Sequence, residues 1–419
     1  MTRDSSRSEH YLYWSSYFQN DPIPFFCKRC TPIMIVGQLK PFPSHFCLRD
    51  LTAITAPVFA FKLNPHQEEA WQAARTWFDS RNVYHGGKKN KFLSHRFDSY
   101  AGMSFPDADV THLQTCIAFF LWAFSFDDLS DEGALQSKPD AVQVGVDISM
   151  AVLNNPDAPP PDFSYAAMLH ESSASSGACN RFARAVNSWM KSQVEQARNR
   201  ATNEIPGVAE FIVLRRRTIG GPIVEAMVEY SLDLQVPEFV WDHPILQEMS
   251  KAAIDIMTWP NDLCSFNKEQ SDGDFQNLVF CIMLERGVDL QSALDILTDM
   301  LAERVADYAE LKNDLPLFGP EIDSELSRYY TALEQYVQGT VVWYYFSPRY
   351  FRGQDVSNKE DLIVPVYERT QPIPDIASLE DAGKLGLSSI LSGGYMIFVP
   401  LIACLLCVSP FVFSSHLFI

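Results

Sequence analysis

The sequence predicts an all-α fold, and three observations support this class. Apolar residues recur at helical spacing from about residue 64 to about residue 346. Strand-like alternation is scarce, and no Asn-Gly hairpin signal occurs. The chain has 419 residues, of which 47% are hydrophobic and 13% aromatic, so helices of this pattern can surround a large core.

The first strong helix signal lies at Asn64-Pro65, where Asn is a good N-cap and Pro suits the first helical position. Trp71, Ala74 and Trp77-Phe78 then continue on an i, i+3, i+7 stripe. Later helices are expected on the same grounds, and Gly220-Gly221-Pro222 should break one helix into two. The predicted helices lie near residues 64–80, 107–128, 139–154, 176–201, 207–217, 222–233, 245–270, 275–286, 290–313 and 322–346.

The charge and the cysteines narrow the function classes. The formal net charge of -19 argues against nucleic acid, whose phosphate backbone attracts Lys and Arg. It is compatible with phosphate bound through metal ions, for which carboxylates are the protein's contribution. The nine cysteines are scattered, which favours reduced thiols in a cytoplasmic protein. The two CxxC pairs, Cys27/Cys30 and Cys404/Cys407, lack further ligands at zinc spacing, so we expect no zinc site.

An acidic cluster ends the apolar run at residues 116–126. It contains four carboxylates, those of Asp127, Asp128, Asp131 and Glu132. Like charges at the end of a buried segment are costly unless cations join them. An acidic helix cap or a solvated turn is the alternative, and spacing alone leaves it open.

Helical spacing puts two of these carboxylates on one face. Asp127 and Asp131 are four residues apart, and Phe120 and Phe124 precede them on the same face. This layout is typical of an apolar cavity with a charged mouth. Mg²⁺, which binds a few carboxylates together with substrate phosphates, suits such a mouth.

A second set of oxygen ligands supports the metal hypothesis. Asn261, Ser265 and Glu269 recur at i, i+4 and i+8, so they share one helical face. The helix before them is mostly apolar, as is the helix before the acidic cluster. A polar surface stripe would explain this triad alone, but two such motifs in one all-α chain favour a shared metal site.

These motifs resemble the two metal-binding motifs of class I terpene cyclases, D-D-x-x-D and N-D-x-x-S-x-x-K-E. The stretch that begins at Arg215 is similar to the R-R-x-T-x-G of that family and lies 261 − 215 = 46 residues before the Asn. Arg349-Tyr350 is similar to the late R-Y pair. The order of the motifs resembles that of fungal-type sesquiterpene synthases, and the resemblance covers residues 46–351.

The resemblance implies a helical bundle with a central active-site cavity, three Mg²⁺ ions (or Mn²⁺), and farnesyl diphosphate as substrate. The product would be a sesquiterpene hydrocarbon or alcohol, released with diphosphate. In the family, the first Arg of the R-R-x-T-x-G stretch, here Arg215, senses diphosphate. Thr218 and Ile219 match the positions that couple this Arg to the helix break. The implied metal ligands are Asp127, Asp131, Asn261, Ser265 and Glu269, and the implied diphosphate contacts are Arg215, Lys268, Arg349 and Tyr350, with Asp127, Arg215, Arg349 and Tyr350 as catalytic residues.

Within the acidic cluster, Asp128 and Glu132 are expected to supply only a field or a helix cap. Phe120, Phe124 and Trp343 are candidates for a cavity wall that stabilises a carbocation through the ring faces, and core packing is the alternative for each. We assign no general base.

The chain is then expected to divide into residues 1–45, a partly disordered N-terminal extension; 46–350, the catalytic domain; 351–384, a linker; and 385–419, an apolar tail. No charged side chain follows Lys384, and residues 394–413 have the length of a membrane-spanning helix, although two prolines weaken it. The tail is therefore either a membrane anchor or a disordered appendage.

Two other functions remain open at this point. A chain-elongating prenyltransferase would need a second Asp-rich motif, and Asn261 argues against it. A membrane-anchored helical scaffold without catalysis would use the acidic helices as interaction faces.

Overall fold

The fold was analysed in a computed structural model, which describes residues 34–35, 39–80, 84–131, 137–143, 176–202, 204–356 and 362–369. The described helices are α1 (Leu51–Thr55), α2 (Gln67–Ser80), α3 (Gly86–Ser94), α4 (Phe97–Ser104), α5 (Val110–Asp131), α6 (Ser176–Thr202), α7 (Val208–Thr218), α8 (Gly221–Ser231), α9 (Glu238–Trp241), α10 (Pro244–Asp272), α11 (Leu278–Arg286), α12 (Leu290–Asn313), α13 (Pro320–Phe346) and α14 (Pro348–Phe351). The described strands are β1 (Met34–Ile35), β2 (His45–Leu48), β3 (Glu204–Ile205) and β4 (Leu362–Pro365).

The all-α prediction is confirmed, and most long helices lie where the apolar period placed them. α12 has the predicted bounds, 290–313. α5 ends at Asp131 instead of near residue 128, so the whole Asp-rich motif is helical. Residues 139–143 are helical, whereas 144–154, the rest of that predicted helix, lie outside the described residues.

The predicted start of α2 was wrong. The helix begins at Gln67, and Asn64 lies in the loop before it. The Asn64 amide donates hydrogen bonds to the carbonyls of Phe105 (2.7 Å) and Ala108 (2.8 Å), and its Oδ1 accepts one from the His66 N–H (2.8 Å). Because Asn64 is buried, its amide serves a long-range contact that capping propensity does not anticipate.

The short helices α1, α3, α4, α9 and α14 were not predicted. All eight residues of α4 are buried, so it has no polar face to give a helical period. α3 begins with Gly86-Gly87, which is a poor helix signal. Tertiary packing stabilises these segments, and the sequence pattern therefore does not reveal them.

Strands β2 and β4 pair antiparallel, with His45 opposite Pro365 and Leu48 opposite Leu362. Phe46 and Val364, which also face each other, are buried. The first residues after the helical region, assigned to a linker in the sequence, thus include a strand that packs on the bundle. Each strand has only four residues, which is too short for a clear alternation signal.

Helix α10 lies at the centre of the bundle and packs against α7, α11, α12 and α13. α13 in turn packs closely on α4. A Cβ at Gly339 would lie 2.5 Å from the Met103 carbonyl oxygen, so this approach requires glycine. The contact fixes α13, which carries several cavity residues, against the helix that precedes α5.

The apolar segment at 394–413, considered above as a membrane anchor, lies outside the described residues. Among the residues that the structure does describe, no helix is long and apolar enough to cross a membrane.

Candidate active site

A cavity opens among α5, α6, α10, α13 and the break between α7 and α8. Its volume, counted as the space that the centres of water molecules can occupy, is about 140 Å³. On the same scale one water molecule needs roughly 10–15 Å³. The cavity can therefore hold a ligand of many atoms. Its apolar lining includes Phe119, Phe120, Ala123, Phe124, Trp189, Ile223, Val224, Met257, Trp343 and Tyr344.

Stacked aromatic rings form one wall. Phe120, Phe124 and Trp343 all line the cavity, as the sequence analysis expected of wall residues. Tyr100 lies between two of them, with its ring centroid 4.4 Å from Phe120 and 4.4 Å from Trp343. Phe97 stacks on Phe124 from behind, at 4.3 Å. Tyr100 comes from the unpredicted helix α4, which explains why sequence reasoning missed it.

The first motif meets the late Arg at one end of the cavity. Asp127 lines the cavity, and the Arg349 guanidinium lies 3.8 Å from its Oδ2. Arg349 is closer to Asp128, donating from Nη2 to Oδ1 at 2.8 Å. Asp131 is the last residue of α5, and its side chain is outside the described part of the chain. Asp128, expected only to supply a field or a cap, thus makes the direct ion pair.

Asn261 connects the second motif to two predicted diphosphate contacts. Its Oδ1 accepts a hydrogen bond from Arg215 Nη2 (2.7 Å), and its Nδ2 donates one to the Tyr350 hydroxyl (3.2 Å). An amide oxygen has two lone pairs, so one remains for a second partner. Pro260, directly before Asn261, has no N–H to donate within the helix. In the same turn, the Tyr344 hydroxyl donates a hydrogen bond to the Met257 carbonyl (3.0 Å).

Asp262 anchors the Arg215 side chain, a role that sequence analysis did not assign. The residue is fully buried. Its Oδ1 accepts from Arg215 Nε (2.8 Å) and its Oδ2 from the Leu278 N–H (3.0 Å). Burial raises the pKa of Asp262, and the Arg215 charge opposes this rise. Its place beside Asn261 in the N-D pair of the motif was the signal available in the sequence.

Of the three consecutive arginines, only Arg215 lines the cavity. Arg216 makes a two-pronged ion pair with Asp255 of α10 (2.7 and 2.8 Å), and Arg217 pairs with Glu195 of α6 (3.0 Å). Burial disfavours the Arg215 charge, but the carboxylates of Asp262 and Glu269 outweigh it and raise its pKa. Arg215 therefore stays cationic at the cavity wall.

Arg215 also contacts the segment that leads into the break between α7 and α8. Arg215 Nη1 donates to the Thr218 hydroxyl (3.4 Å), and the Thr218 carbonyl accepts from Trp189 Nε1 (2.9 Å). Gly220 follows with φ 79°, in the left-handed region that glycine tolerates. Ile219 and Gly220 line the cavity. Thr218 therefore contacts both the Arg215 side chain and Trp189, directly before the break.

Ser265, Lys268 and Glu269 continue the second motif along the cavity. Burial raises the pKa of Glu269 to about 7, and the neighbouring carboxylates of Asp274 and Asp262 add to the rise. Arg215 and the Asn277 amide oppose it. Arg200 of α6 also reaches this end of the cavity and pairs with Asp274 through Nε (3.0 Å) and Nη2 (2.9 Å).

The residues at this end suit a divalent cation by their chemistry. Asp127, Asn261, Ser265 and Glu269 all line the same cavity and all present oxygen. Hard cations such as Mg²⁺ and Mn²⁺ prefer oxygen ligands. Within the described residues, no group of three or more His, Cys, Asp or Glu side chains is placed to hold a metal ion.

Comparison with known proteins points to one family. Residues 118–307 match the family described as terpene synthase family 2, C-terminal metal binding. Sesquiterpene synthase 3 of Postia placenta is 30% identical over 71% of this chain and 82% of its own length. Sesquiterpene synthase Agr1 of Cyclocybe aegerita is 29% identical over 80% of this chain and 99% of its own. Alpha-muurolene synthase of Coprinopsis cinerea is 28% identical over 79% and 80%, respectively.

Solved structures show the same fold. The crystal structure of a-eudesmol synthase superposes with a TM-score of 0.61 at 22% identity, covering 68% of this chain and 97% of that one. Germacradien-4-ol synthase from Streptomyces citricolor gives 0.60 at 20% identity, covering 68% and 96%. The fold is therefore that of class I terpene cyclases.

The chain belongs to the terpene synthase family, and its relatives place it among the fungal sesquiterpene synthases. It is thus a terpene cyclase, a lyase that takes a prenyl diphosphate, and the family implies a divalent metal ion. The two other functions considered from the sequence, chain elongation and a scaffold without catalysis, find no support in these comparisons.

Proposed function

We propose that the protein is a Mg²⁺-dependent sesquiterpene synthase that ionises farnesyl diphosphate and cyclises the resulting carbocation. One observation carries this proposal. The acidic motif, the Asn261 triad and the cationic residues Arg215 and Arg349 line one cavity, whose lining also includes a large set of aromatic and aliphatic side chains. Such a cavity separates a polar end for diphosphate from an apolar end for a hydrocarbon chain.

The polar end would hold the leaving group. Asp127, Asp131, Asn261, Ser265 and Glu269 are the proposed ligands of three Mg²⁺ ions, a number taken from the family resemblance, and Mn²⁺ would substitute. Bound there, the metal would supply Lewis acidity toward phosphate oxygens. The position of four of these residues on the cavity supports this role.

The cationic residues would bind the diphosphate and stabilise its developing charge. When the allylic C–O bond breaks, its electron pair leaves with the diphosphate and a carbocation remains. Arg215 and Arg349 suit this step because a guanidinium donates two parallel hydrogen bonds to phosphate. Lys268 and the Tyr350 hydroxyl would add donors. Each Arg already faces a carboxylate, so diphosphate would compete with Asp262 and Asp128 for them.

The apolar end would fold the chain and shield the cation. Phe120, Phe124 and Trp343 present rings to the cavity, and each ring face can stabilise a cation by about 0.5–2 kcal/mol. Their packing around Tyr100 fixes the wall. Loss of a proton, or capture of water, then ends the reaction and gives a hydrocarbon or an alcohol.

We further propose that residues 46–350 form the catalytic domain and that β4 completes its surface. The hydrogen bond from Asn267 Nδ2 to the Pro365 carbonyl (2.8 Å) supports including the strand.

The test is incubation of the purified protein with farnesyl diphosphate and Mg²⁺, followed by headspace analysis. We expect a sesquiterpene whose release requires the metal. Geranyl and geranylgeranyl diphosphate, supplied separately, test the chain length, and added isopentenyl diphosphate tests elongation. Folded protein that turns over none of these substrates would refute the proposal.

A further inference from the structure

The turn between α10 and α11 ends at Asn277, whose side chain reaches back to the second metal motif. Asn277 is fully buried. Its Nδ2 lies 2.8 Å from the Asp262 carbonyl oxygen, 2.8 Å from Glu269 Oε2 and 3.4 Å from Ser265 Oγ. One amide group therefore touches the motif at three points along two turns of α10.

The same side chain is held from its other end. Asn277 Oδ1 accepts a hydrogen bond from the Val279 N–H at 2.9 Å, which makes Asn277 the N-cap of α11. The next backbone N–H, that of Leu278, donates to Asp262 Oδ2. The amide orientation is thus set by the start of α11, and its two N–H groups point at α10.

We propose that Asn277 is a positioning residue for the metal site. It binds Oε2 of Glu269, so the carboxylate is fixed in one rotamer and Oε1 is the oxygen that remains for a metal ion. Its contact with Ser265 orients the hydroxyl on the same face. Ordering a flexible Glu before the metal binds strengthens binding, as partners of metal ligands generally do. The inference rests on the function proposed above.

An amide is needed at this position for chemical reasons. Only an NH₂ group offers two donors to two oxygen acceptors while the other end caps a helix. Asp would place a carboxylate against Glu269. Ser would still cap α11 but is too short to bridge to α10. These differences separate the capping role from the positioning role.

Asn267 offers a matched control on the helix that carries Ser265 and Glu269. Like Asn277 it is a buried Asn, and it lies on α10 two residues before Glu269. Its Nδ2 donates to the Pro365 carbonyl and its Oδ1 accepts from the Tyr367 N–H, both at 2.8 Å. It therefore ties α10 to the β4 segment and not to Ser265 or Glu269.

The experiment measures the unfolding temperature of the full chain against Mg²⁺ concentration, with inorganic diphosphate present. We expect Asn277→Ser to need about tenfold more Mg²⁺ than the wild type for half of the stabilisation. Asn267→Ser should lower the starting temperature and leave the Mg²⁺ midpoint unchanged. An Asn277→Ser midpoint equal to that of the wild type would overturn the proposal.

A second variant keeps the test valid if Asn277→Ser does not fold. Asn277→Asp preserves size and the cap, and it should raise the Mg²⁺ midpoint at least as much. With farnesyl diphosphate, excess Mg²⁺ should restore much of the lost turnover, which a purely structural defect would not allow. If the wild type itself shows no Mg²⁺-dependent stabilisation, the proposed metal-dependent function fails, a result distinct from failure of the Asn277 assignment.

Discussion

Replacing Arg215, a proposed diphosphate contact, by Lys separates the charge of this side chain from its geometry. The Arg215 guanidinium donates hydrogen bonds to Asp262 (2.8 Å), Asn261 (2.7 Å) and Thr218 (3.4 Å), and the side chain is buried. Lys keeps the positive charge, so Asp262 is not left as an unpaired buried anion. A single ammonium on a flexible stem cannot hold the three partners in this planar arrangement. The variant should therefore fold but lose the contact to Asn261.

The expected size follows from that contact. A hydrogen bond that involves a charged group contributes about 1.5–3 kcal/mol, and each 1.36 kcal/mol changes a rate about tenfold. Turnover of farnesyl diphosphate by Arg215→Lys should therefore fall by about 10- to 150-fold, measured as kcat at saturating Mg²⁺. Arg215→Gln should destabilise the fold more than Arg215→Lys, because removing one partner of a buried ion pair costs about 3–5 kcal/mol of folding free energy. Wild-type kcat in Arg215→Lys, with unfolding unchanged, would refute the geometric reasoning.

Three further outcomes test separate parts of the molecule. Asp127→Ala should abolish turnover while circular dichroism shows unchanged helix content, and an active variant would contradict the ligand assignment. Burial, helped by the charge of Glu229, raises the pKa of Glu225 from 4.5 to about 7, so stability that is full below about pH 4.5 should be lost as the pH rises toward 7. Glu225→Gln should remove this loss and raise the free energy of unfolding at pH 8 by up to about 3 kcal/mol; equal urea-unfolding curves for both proteins would argue against it. Deleting residues 385–419 should leave kcat unchanged, and an inactive but folded product would show that the tail belongs to the working enzyme.

The success of the helix prediction has a simple physical basis. A long amphipathic helix buries one stripe of side chains, so its sequence shows apolar residues at helical spacing. This holds for α12, whose bounds were predicted, and for α10 and α13 to within a few residues. It fails for α4, because a helix buried on every side has no period to detect. Tyr100, at the centre of the aromatic wall, was missed for that reason.

The motif residues could also be predicted from the sequence, because their spacing is local. Residues four apart on a helix share a face whatever surrounds them. The cavity lining therefore includes Asp127, Asn261, Ser265 and Glu269, each of which was named from spacing or resemblance. The positions of the aromatic candidates Phe120 and Phe124 follow from the same periodicity on α5.

By itself, then, the sequence determined which helix faces carry oxygen-bearing side chains and the family to which the chain belongs. Only the tertiary structure decided which groups these side chains meet. Asp128 is the direct partner of Arg349, 221 residues later, and Asp262 holds Arg215 from 47 residues away. Asn277 reaches the triad only because the chain turns back after α10. Partners of this kind depend on how helices pack, and helical periodicity describes one helix at a time.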